Sequence, residues 1–222
     1  KVMNDNEIEY FQEERIIDYP YSIEFMEKKV EEIHKNNCKE FLWFLEHDNI
    51  YTAGTSAKPE DLIEKNKFKV YESSRGGQYT YHGPGQKIIY LMLNLRKKGY
   101  DIRKFISLIE EWIIISLKDI GLKGINDKNH VGIWVEDKNT LKKISSIGLR
   151  VRKGITFHGV SINMNPNLEN FRGINPCGNN PYNVTSLEEM GLKKEIKYFD
   201  EILIRNFNKL FNAKLKLRKT LE

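Results

Sequence analysis

Residues 143–164, KISSIGLRVRKGITFHGVSINM, predict a β-hairpin and with it the class of fold. Lys143–Val151 and Thr156–Met164 are both rich in the apolar and β-branched residues typical of strands. The turn-forming pair Lys153-Gly154 lies between them. The stretch therefore predicts two antiparallel neighbours in a sheet.

Helical and strand patterns alternate on both sides of this hairpin. Apolar residues at helical spacing after Tyr19-Pro20 predict a helix that ends near Asn36-Asn37. Asp101 is expected to cap a second helix that Gly121 ends, and a third is expected over Tyr198–Phe211. Further strands are predicted at Phe41–Leu45, Ile50–Ala53, Lys69–Ser73, Lys87–Leu95, Val131–Val135 and Lys214–Leu217. The pattern indicates one α+β (α/β) domain over residues 1–222, with mixed or antiparallel sheets flanked by helices.

Composition narrows the class of protein. Of the 222 residues, 40% are hydrophobic and 30% are charged, which is typical of a globular protein. No apolar run approaches the ~20 residues of a membrane span, and Lys1–Glu9 lacks the pattern of a secretory signal. A cytoplasmic enzyme is expected. The net charge of +5 favours acidic partners, but the scattered basic residues do not form the long run typical of a nucleic-acid arm. We therefore expect neither a nucleic acid nor a membrane as partner.

The densest candidate for a binding site is the glycine-rich segment Arg75–Gln86, RGGQYTYHGPGQ. Its glycines allow the backbone to approach a ligand closely, and its polar side chains supply donors around it. The segment matches neither common phosphate-binding pattern, GxxxxGK[ST] or GxGxxG before a helix. An ordinary glycine-rich hairpin remains the alternative.

Two further segments hold candidate reactive groups. In a strand, Lys143, Ser145 and Ile147 share one face, so Lys143 is partly buried if Ile147 points to the core. Burial favours a neutral amine, which can act as a base, although a lysine that reaches solvent is the alternative. Cys177 lies in a Pro-Cys-Gly turn that can expose its thiol, whereas Cys38 has no such setting. A small buried cysteine, or one disulfide between the two, remains open.

Together these segments resemble the lipoyl(octanoyl) transferase family. The glycine-rich segment is similar to the family's signature, and Lys143–Gly148 is similar to its Lys-Ile-x-Ser-x-Gly strand. Phe157–Gly159 and the Ile-x-Pro-Cys-Gly turn at 174–178 follow in the family's order. His47, with the nearby Tyr51-Thr52-x-Gly54, extends the resemblance upstream, while Ser161 replaces a frequent alanine.

The resemblance implies the fold of biotin and lipoate ligases and a transferase that needs no cofactor or metal. It implies that an octanoyl group passes from acyl carrier protein, through a Cys177 thioester activated by Lys143, to a lysine. The acceptors would be lipoyl domains of 2-oxoacid dehydrogenases and the glycine cleavage H protein. Residues implied to bind the substrate are Arg75, Gly76, Gly77, Gln78, Tyr79, Thr80, Tyr81, His82, Ser146, Ile147, Gly148, Gly159, Val160 and Ser161. His47 and His158 are possible supporting residues.

Three alternatives remain at this point. An ATP-dependent lipoate ligase would share the fold, but it should have an Arg-Arg-x-x-Gly-Gly-Gly segment and a Tyr-His-Asp that this chain lacks. A non-catalytic protein that binds acidic carrier domains would retain its function without Cys177. A nucleic-acid-binding protein would show binding that weakens steeply with salt.

Overall fold

The computed structural model describes residues 6–127, 130–175 and 183–221, which form two β-sheets with helices packed against them. The α-helices are α1 (Tyr19–His34), α2 (Leu95–Lys98), α3 (Ile102–Asp119) and α4 (Phe199–Leu210). The strands are β1 (Glu7–Ile17), β2 (Phe41–His47), β3 (Ile50–Ala53), β4 (Lys69–Glu72), β5 (Tyr79–His82), β6 (Gln86–Met92), β7 (Gly124–Asp127), β8 (His130–Asp137), β9 (Thr140–Arg152), β10 (Ile155–Asn163) and β11 (Lys214–Leu217). Short 3₁₀ helices span Pro59–Asp61, Leu168–Gly173 and Glu195–Tyr198.

Within these ranges the larger sheet has eight strands, in the order β11-β1-β2-β6-β10-β9-β8-β7, and the smaller has the order β4-β3-β5. Strand β1 runs parallel to both of its neighbours and β3 runs parallel to β4, while the other pairs are antiparallel. The hairpin predicted from residues 143–164 is β9–β10, in which Ser146 pairs with Ser161. The expectation of mixed sheets flanked by helices is confirmed.

Helices cover both faces of the larger sheet. Helix α1 buries an apolar stripe that includes Met26 and Val30, against strand residues such as Trp43. Helices α3 and α4 cover the other face, where Trp112 and Phe207 meet edge to face. The expected cap of α3 is present, since the Asp101 carboxylate accepts a hydrogen bond from the Lys104 amide at 2.8 Å. No helix in the described ranges is both long and apolar enough to cross a membrane.

Three strands were missing from the sequence prediction: β1, β5 and β7, the last of which pairs with β8. Strand β1 was not predicted because its EIEYFQEERII sequence alternates poorly, and pairing with β2 and β11 stabilises it. Strand β5 lies inside the glycine-rich segment and pairs with β3. The strand predicted over Lys87–Leu95 ends earlier, at Met92, because the Asn94 side chain caps α2. Strand pairing between distant segments overrides local pattern in these cases.

Candidate active site

A cavity of about 420 Å³ lies where the glycine-rich segment meets the β9–β10 hairpin. Its volume lies in the range of small-molecule sites. It brings together most of the residues expected at the site: Arg75, Gly76, Gly77, Gln78, Tyr79, Thr80, His82, Lys143, Ser146, Ile147, Gly148, His158, Gly159, Val160 and Ser161. Tyr81 and His47 lie behind the wall. The Tyr81 ring packs on Phe171 beneath the smaller sheet, and its hydroxyl donates to Asn49 Oδ1 at 2.6 Å.

Arg75 holds the glycine-rich segment in its folded shape. Its guanidinium donates to the hydroxyl and carbonyl oxygens of Thr52, at 2.8 and 2.9 Å, and to the carbonyls of Gln78 and Gly76, at 2.9 and 3.0 Å. Because Gly77 has a φ of +92°, the segment reverses direction in a region that residues with a Cβ avoid. The planar, five-donor guanidinium thus connects β3 to the loop that lines the cavity.

Lys143 is buried in the cavity wall with 7% of its surface exposed. Its Nζ lies 4.9 Å from the centre of the Trp134 ring, within the range of a cation–π contact. Its backbone amide donates to Asn183 O at 2.7 Å, and its carbonyl accepts from Thr185 N at 2.9 Å. The neighbouring Lys142 instead forms an ion pair with Asp137 at 2.8 Å. Of the two interpretations that the sequence left open, the structure shows the buried lysine, and the lysine that reaches solvent is wrong.

A β-bulge changes which serine accompanies Lys143. Trp134 pairs with Lys143 and the preceding Ile133 pairs with Ser145, so Ile144 is an extra residue on β9. Ser146 therefore lines the cavity together with Lys143, and the Ser145 that was expected on the same face does not. A bulge of this kind follows from strand pairing and leaves no signal in the alternation of β9.

Buried histidines lie beside and behind the cavity. His47 Nδ1 contacts the Ile17 carbonyl and its Nε2 contacts the Tyr90 hydroxyl, both at 2.7 Å. Since a carbonyl only accepts, Nδ1 carries the proton and the Tyr90 hydroxyl donates to Nε2. His47 thereby orients Tyr90, which lines the cavity. His158 also lines it, with a φ of +61° and its ring stacked on Phe157 at 4.5 Å.

Burial keeps these imidazoles neutral. It lowers the pKa of His47 to about 4, against a smaller opposing effect from the Ile17 carbonyl. It lowers the pKa of His82 to about 3, with a further contribution from His47. It also lowers the pKa of His158 to about 3, aided by the positive charges of Arg75 and Arg150. Near neutral pH the cavity therefore presents uncharged imidazoles.

These shifts predict that the protein loses stability on acidification. Unfolded histidines bind protons below a pKa near 6.5, whereas these buried ones do so only near 3 to 4. Between those values the unfolded state binds more protons, so the free energy of unfolding falls as pH drops from 6.5 towards 4. Each histidine should lower the free energy of unfolding by about 2 kcal/mol as the pH falls from 7 to 5. Urea unfolding at several pH values measures this slope.

The matched variants are His158→Asn and His34→Asn. Asparagine tolerates the positive φ of His158, while His34 is exposed at the end of α1. His158→Asn should flatten the pH dependence between pH 5 and pH 7, and His34→Asn should leave it unchanged. Equal slopes in all three proteins would contradict the assignment of neutral buried histidines.

Cys177 lies outside the described residues, but the chain on both sides of it reaches the cavity. Phe171, before Cys177 in the chain, and Val184, after it, both line the wall. On the first side, the Asn175 amide donates to Asp61 O at 2.8 Å. On the second side, residues 183–185 are bonded to the backbone of Lys143. In the described ranges no cluster of His, Cys, Asp and Glu could hold a metal ion.

Sequence reasoning missed several residues of the wall. Tyr90, Asn163 and Ile106 all line the cavity. Asn163 could have been found, because Gly159, Ser161 and Asn163 share one face of a strand by simple alternation. Tyr90 was harder to find, because its only distinguishing feature in the sequence is a hydroxyl group within an otherwise apolar strand. Ile106 lies on α3, and nothing in its local sequence links it to the cavity.

Comparison with known proteins places these features in a family. Residues 18–208 match the model of the lipoyl protein ligase A/B catalytic domain. The octanoyltransferase of Wolbachia sp. subsp. Brugia malayi (strain TRS) is 43% identical over 205 residues, covering 92% of this chain and 100% of that protein.

Solved structures share the fold at lower sequence identity. Lipoate-protein ligase A bound with ATP superposes with a TM-score of 0.73 at 19% identity, over 97% of this chain and 90% of that one. The bi-partite lipoate protein ligase of Thermoplasma acidophilum, studied with its E2 lipoyl domain, gives 0.65 at 16% identity, over 98% and 88%. The chain belongs to the lipoyl protein ligase A/B family, and within it to the octanoyltransferases.

Proposed function

We propose that this octanoyltransferase works by two successive acyl transfers through Cys177, with Lys143 as the proton-transfer partner. The observation that carries the proposal is the position of Lys143: it is buried in the cavity wall, and its backbone is bonded to residues 183–185, which follow Cys177 in the chain. The glycine-rich segment and the β9–β10 hairpin form the remaining wall, where the acyl substrate would bind. Residues 1–222 would act as one domain in the cytoplasm.

In the first step the Cys177 thiolate attacks the thioester carbonyl of octanoyl-acyl carrier protein. A bond forms between Cys177 Sγ and the acyl carbon, and the carbon–sulfur bond to the carrier breaks. The carrier thiolate leaves as a thiol by taking the proton that Lys143 removed from Cys177. A free thiol is only a few per cent ionised at pH 7, so transfer of its proton to Lys143 would speed this step. Thioester exchange is close to balanced, so neither ATP nor a metal is required.

In the second step a lysine of a lipoyl domain attacks the acyl-Cys177. The amine starts as an ammonium ion, and removal of its proton at pH 7 costs roughly 4.6 kcal/mol. Lys143 would accept that proton. The amide bond then forms, the bond to Sγ breaks, and the second amine proton goes to the Cys177 thiolate. The lipoyl domains of 2-oxoacid dehydrogenases and the glycine cleavage H protein are the proposed acceptors.

The apolar part of the wall would bind the acyl chain. Ile88, Ile106, Val131, Ile147 and Val160 contribute aliphatic side chains to the cavity. Burial of each methylene contributes about 0.8 kcal/mol, so the six methylenes of an octanoyl group contribute about 5 kcal/mol. This preference would favour a medium-length chain over a two-carbon one.

The direct test is the intact mass of the protein after incubation with octanoyl-acyl carrier protein. We expect a gain of one octanoyl group in the wild type and none in Cys177→Ser, followed by loss of that mass when a lipoyl domain is added. Octanoyl transfer without any acylated protein, or transfer that requires ATP, would contradict the proposed mechanism.

Gly132 offers an independent test of the role of Lys143. Its φ is +126°, and a Cβ placed there would lie 2.7 Å from Ser145 O and 3.1 Å from Lys143 Cε. Gly132→Ala should therefore displace the lysine and slow octanoyl transfer by at least about tenfold, if the transition state loses one charge-assisted hydrogen bond. Transfer rates under saturating substrates measure the effect.

Gly121→Ala is the matched control. Gly121 also has a positive φ, of +81°, but nothing lies within 4 Å of its added Cβ. Both variants suffer backbone strain, and only Gly132→Ala affects Lys143. Equal transfer rates in the two variants, at equal stability, would show that the position of Lys143 is unimportant.

A further inference from the structure

A chain of buried hydrogen bonds connects the backbone beside Lys143 to the imidazole of His82. Asn163 Nδ2 donates to Thr185 O at 2.9 Å, and Gln86 Nε2 donates to Asn163 Oδ1 at 2.9 Å. Gln86 Oε1 lies 2.7 Å from His82 Nδ1. At the other end, the Thr185 amide donates to the Lys143 carbonyl at 2.9 Å. The side chains of the three linked residues are all nearly inaccessible, Gln86 at 1%, Asn163 at 5% and His82 at 8%.

The Thr185 carbonyl determines the direction of every bond in this chain. A carbonyl can only accept, so Asn163 must turn its NH₂ towards Thr185 and its oxygen towards Gln86. That oxygen requires a donor, so Gln86 presents its NH₂ to Asn163 and its oxygen to His82. Reversal of either amide would set two donors or two acceptors against each other. His82 must therefore carry its proton on Nδ1.

His82 Nε2 is then an acceptor. Among residues 6–127, 130–175 and 183–221 no hydrogen bond to Nε2 is formed, and the His82 ring lines the cavity. The acyl chain and the thioester carbonyl have no N–H or O–H to donate. Once Cys177 is acylated, the amine of the acceptor lysine is the substrate group that carries N–H protons. The lone pair of His82 Nε2 in the cavity wall can therefore accept a hydrogen bond from that amine.

We infer that Gln86 and Asn163 are positioning residues, which fix the tautomer of His82 so that Nε2 accepts a hydrogen bond from the incoming amine. This inference rests on the proposed function, since it assumes an acyl-Cys177 intermediate. His82 orients the amine and does not keep its proton, because the buried imidazole has a pKa of about 3 and is a far weaker base than an amine. Proton acceptance stays with Lys143.

The chain of hydrogen bonds connects Lys143 and His82 to the same segment. Residues 183–185 hold the backbone of Lys143, and Asn163 joins the same segment to His82 through Gln86. Lys143, as the proposed base, and His82, as the proposed hydrogen-bond acceptor, are therefore both held by the backbone of residues 183–185. Groups that are held by the same rigid backbone are positioned more precisely relative to each other.

The tautomer can be observed directly in protein labelled with ¹⁵N-histidine. We expect a protonated Nδ1 and an unprotonated, pyridine-like Nε2 for His82, assigned by the loss of its signals in His82→Gln. Gln86→Met removes the acceptor at Nδ1, so protonation of Nε2 should appear. Gln86→Glu keeps an acceptor oxygen facing Nδ1 and should retain the Nδ1–H form, while its second oxygen loses the hydrogen bond to Asn163 Oδ1. Nε2 protonated in the wild type would overturn the inference.

Kinetics separate positioning from structural support. In Gln86→Met, KM for the lipoyl domain should rise about tenfold, the usual effect of losing one hydrogen bond, while formation of acyl-Cys177 should fall by a smaller factor. The control is Asn206→Leu, which removes another buried amide, bonded to Ser116 and Asp119 between α3 and α4. Equal losses in both half-reactions of Gln86→Met would overturn the inference. If wild-type protein forms no acyl-Cys177, the proposed function fails, while the nitrogen spectrum still reports the tautomer.

Discussion

Replacement of Cys177 by alanine is expected to abolish octanoyl transfer, with a rate loss of about 10⁴-fold or more. Loss of the nucleophile in a covalent mechanism removes the intermediate itself, and such losses reach about 10⁶-fold in other enzymes. Because the sequence predicts an exposed Pro-Cys-Gly turn at this position, we expect the melting temperature to change little. Transfer to a lipoyl domain, followed by gel shift or mass, measures the rate.

Cys38→Ala is the matched control for this variant. Cys38 is a free, half-buried thiol whose pKa burial raises to about 11, so it is almost wholly protonated at neutral pH. Its replacement should leave both the acylated mass and the transfer rate at wild-type values. Comparable transfer by Cys177→Ala and the wild type would require a different nucleophile or a non-covalent mechanism.

Lys143→Met is expected to slow both half-reactions by about 10²- to 10⁴-fold, the range that general acid–base catalysis contributes. Methionine keeps much of the aliphatic contact with Trp134 but provides no amine. Acylation should be slower because the Cys177 proton has no acceptor, and amine attack should be slower for the same reason at the acceptor lysine. Single-turnover acylation and transfer from preformed acyl-enzyme measure the two steps separately.

Lys142→Met controls for the loss of a lysine from the same strand. Lys142 pairs with Asp137, so this change should cost only the ~0–1 kcal/mol of a surface ion pair and leave catalysis near the wild-type rate. Equal losses of transfer rate in Lys142→Met and Lys143→Met, or a loss in Lys142→Met alone, would contradict the assignment of Lys143 as the proton acceptor. A change confined to one half-reaction of Lys143→Met would limit the lysine to that step.

Periodicity and turn chemistry in the sequence determined most of the secondary structure. The helix that begins at Tyr19 and the helix capped by Asp101 follow from 3.6-residue spacing and a side chain that caps an exposed amide. Strand β3 was predicted with its correct bounds from a short apolar run between turn residues. These features depend only on residues that are neighbours in the sequence, so they can be predicted from it.

The same reading identified the segments of the site because their residue types are unusual for a turn or a strand. Four glycines beside polar aromatic residues mark the loop after Arg75, and a proline and a glycine flank Cys177. The structure joins the first of these segments to Lys143 in one cavity. The roles of Cys177 and Lys143 in the reaction stay predictions.

Tertiary structure alone decided which side chains face that cavity. The bulge at Ile144 places Ser146 there, and Tyr81 turns away beneath the smaller sheet. The Gln86–Asn163 connection joins residues 77 positions apart, through bonds whose direction the Thr185 carbonyl determines. Such features arise when strands distant in the chain pair in one register, and burial then requires each polar group to find a partner. The sequence pattern indicates the secondary structure that each segment prefers. Strand register and hydrogen-bond direction are determined only when the segments pack together in the folded protein.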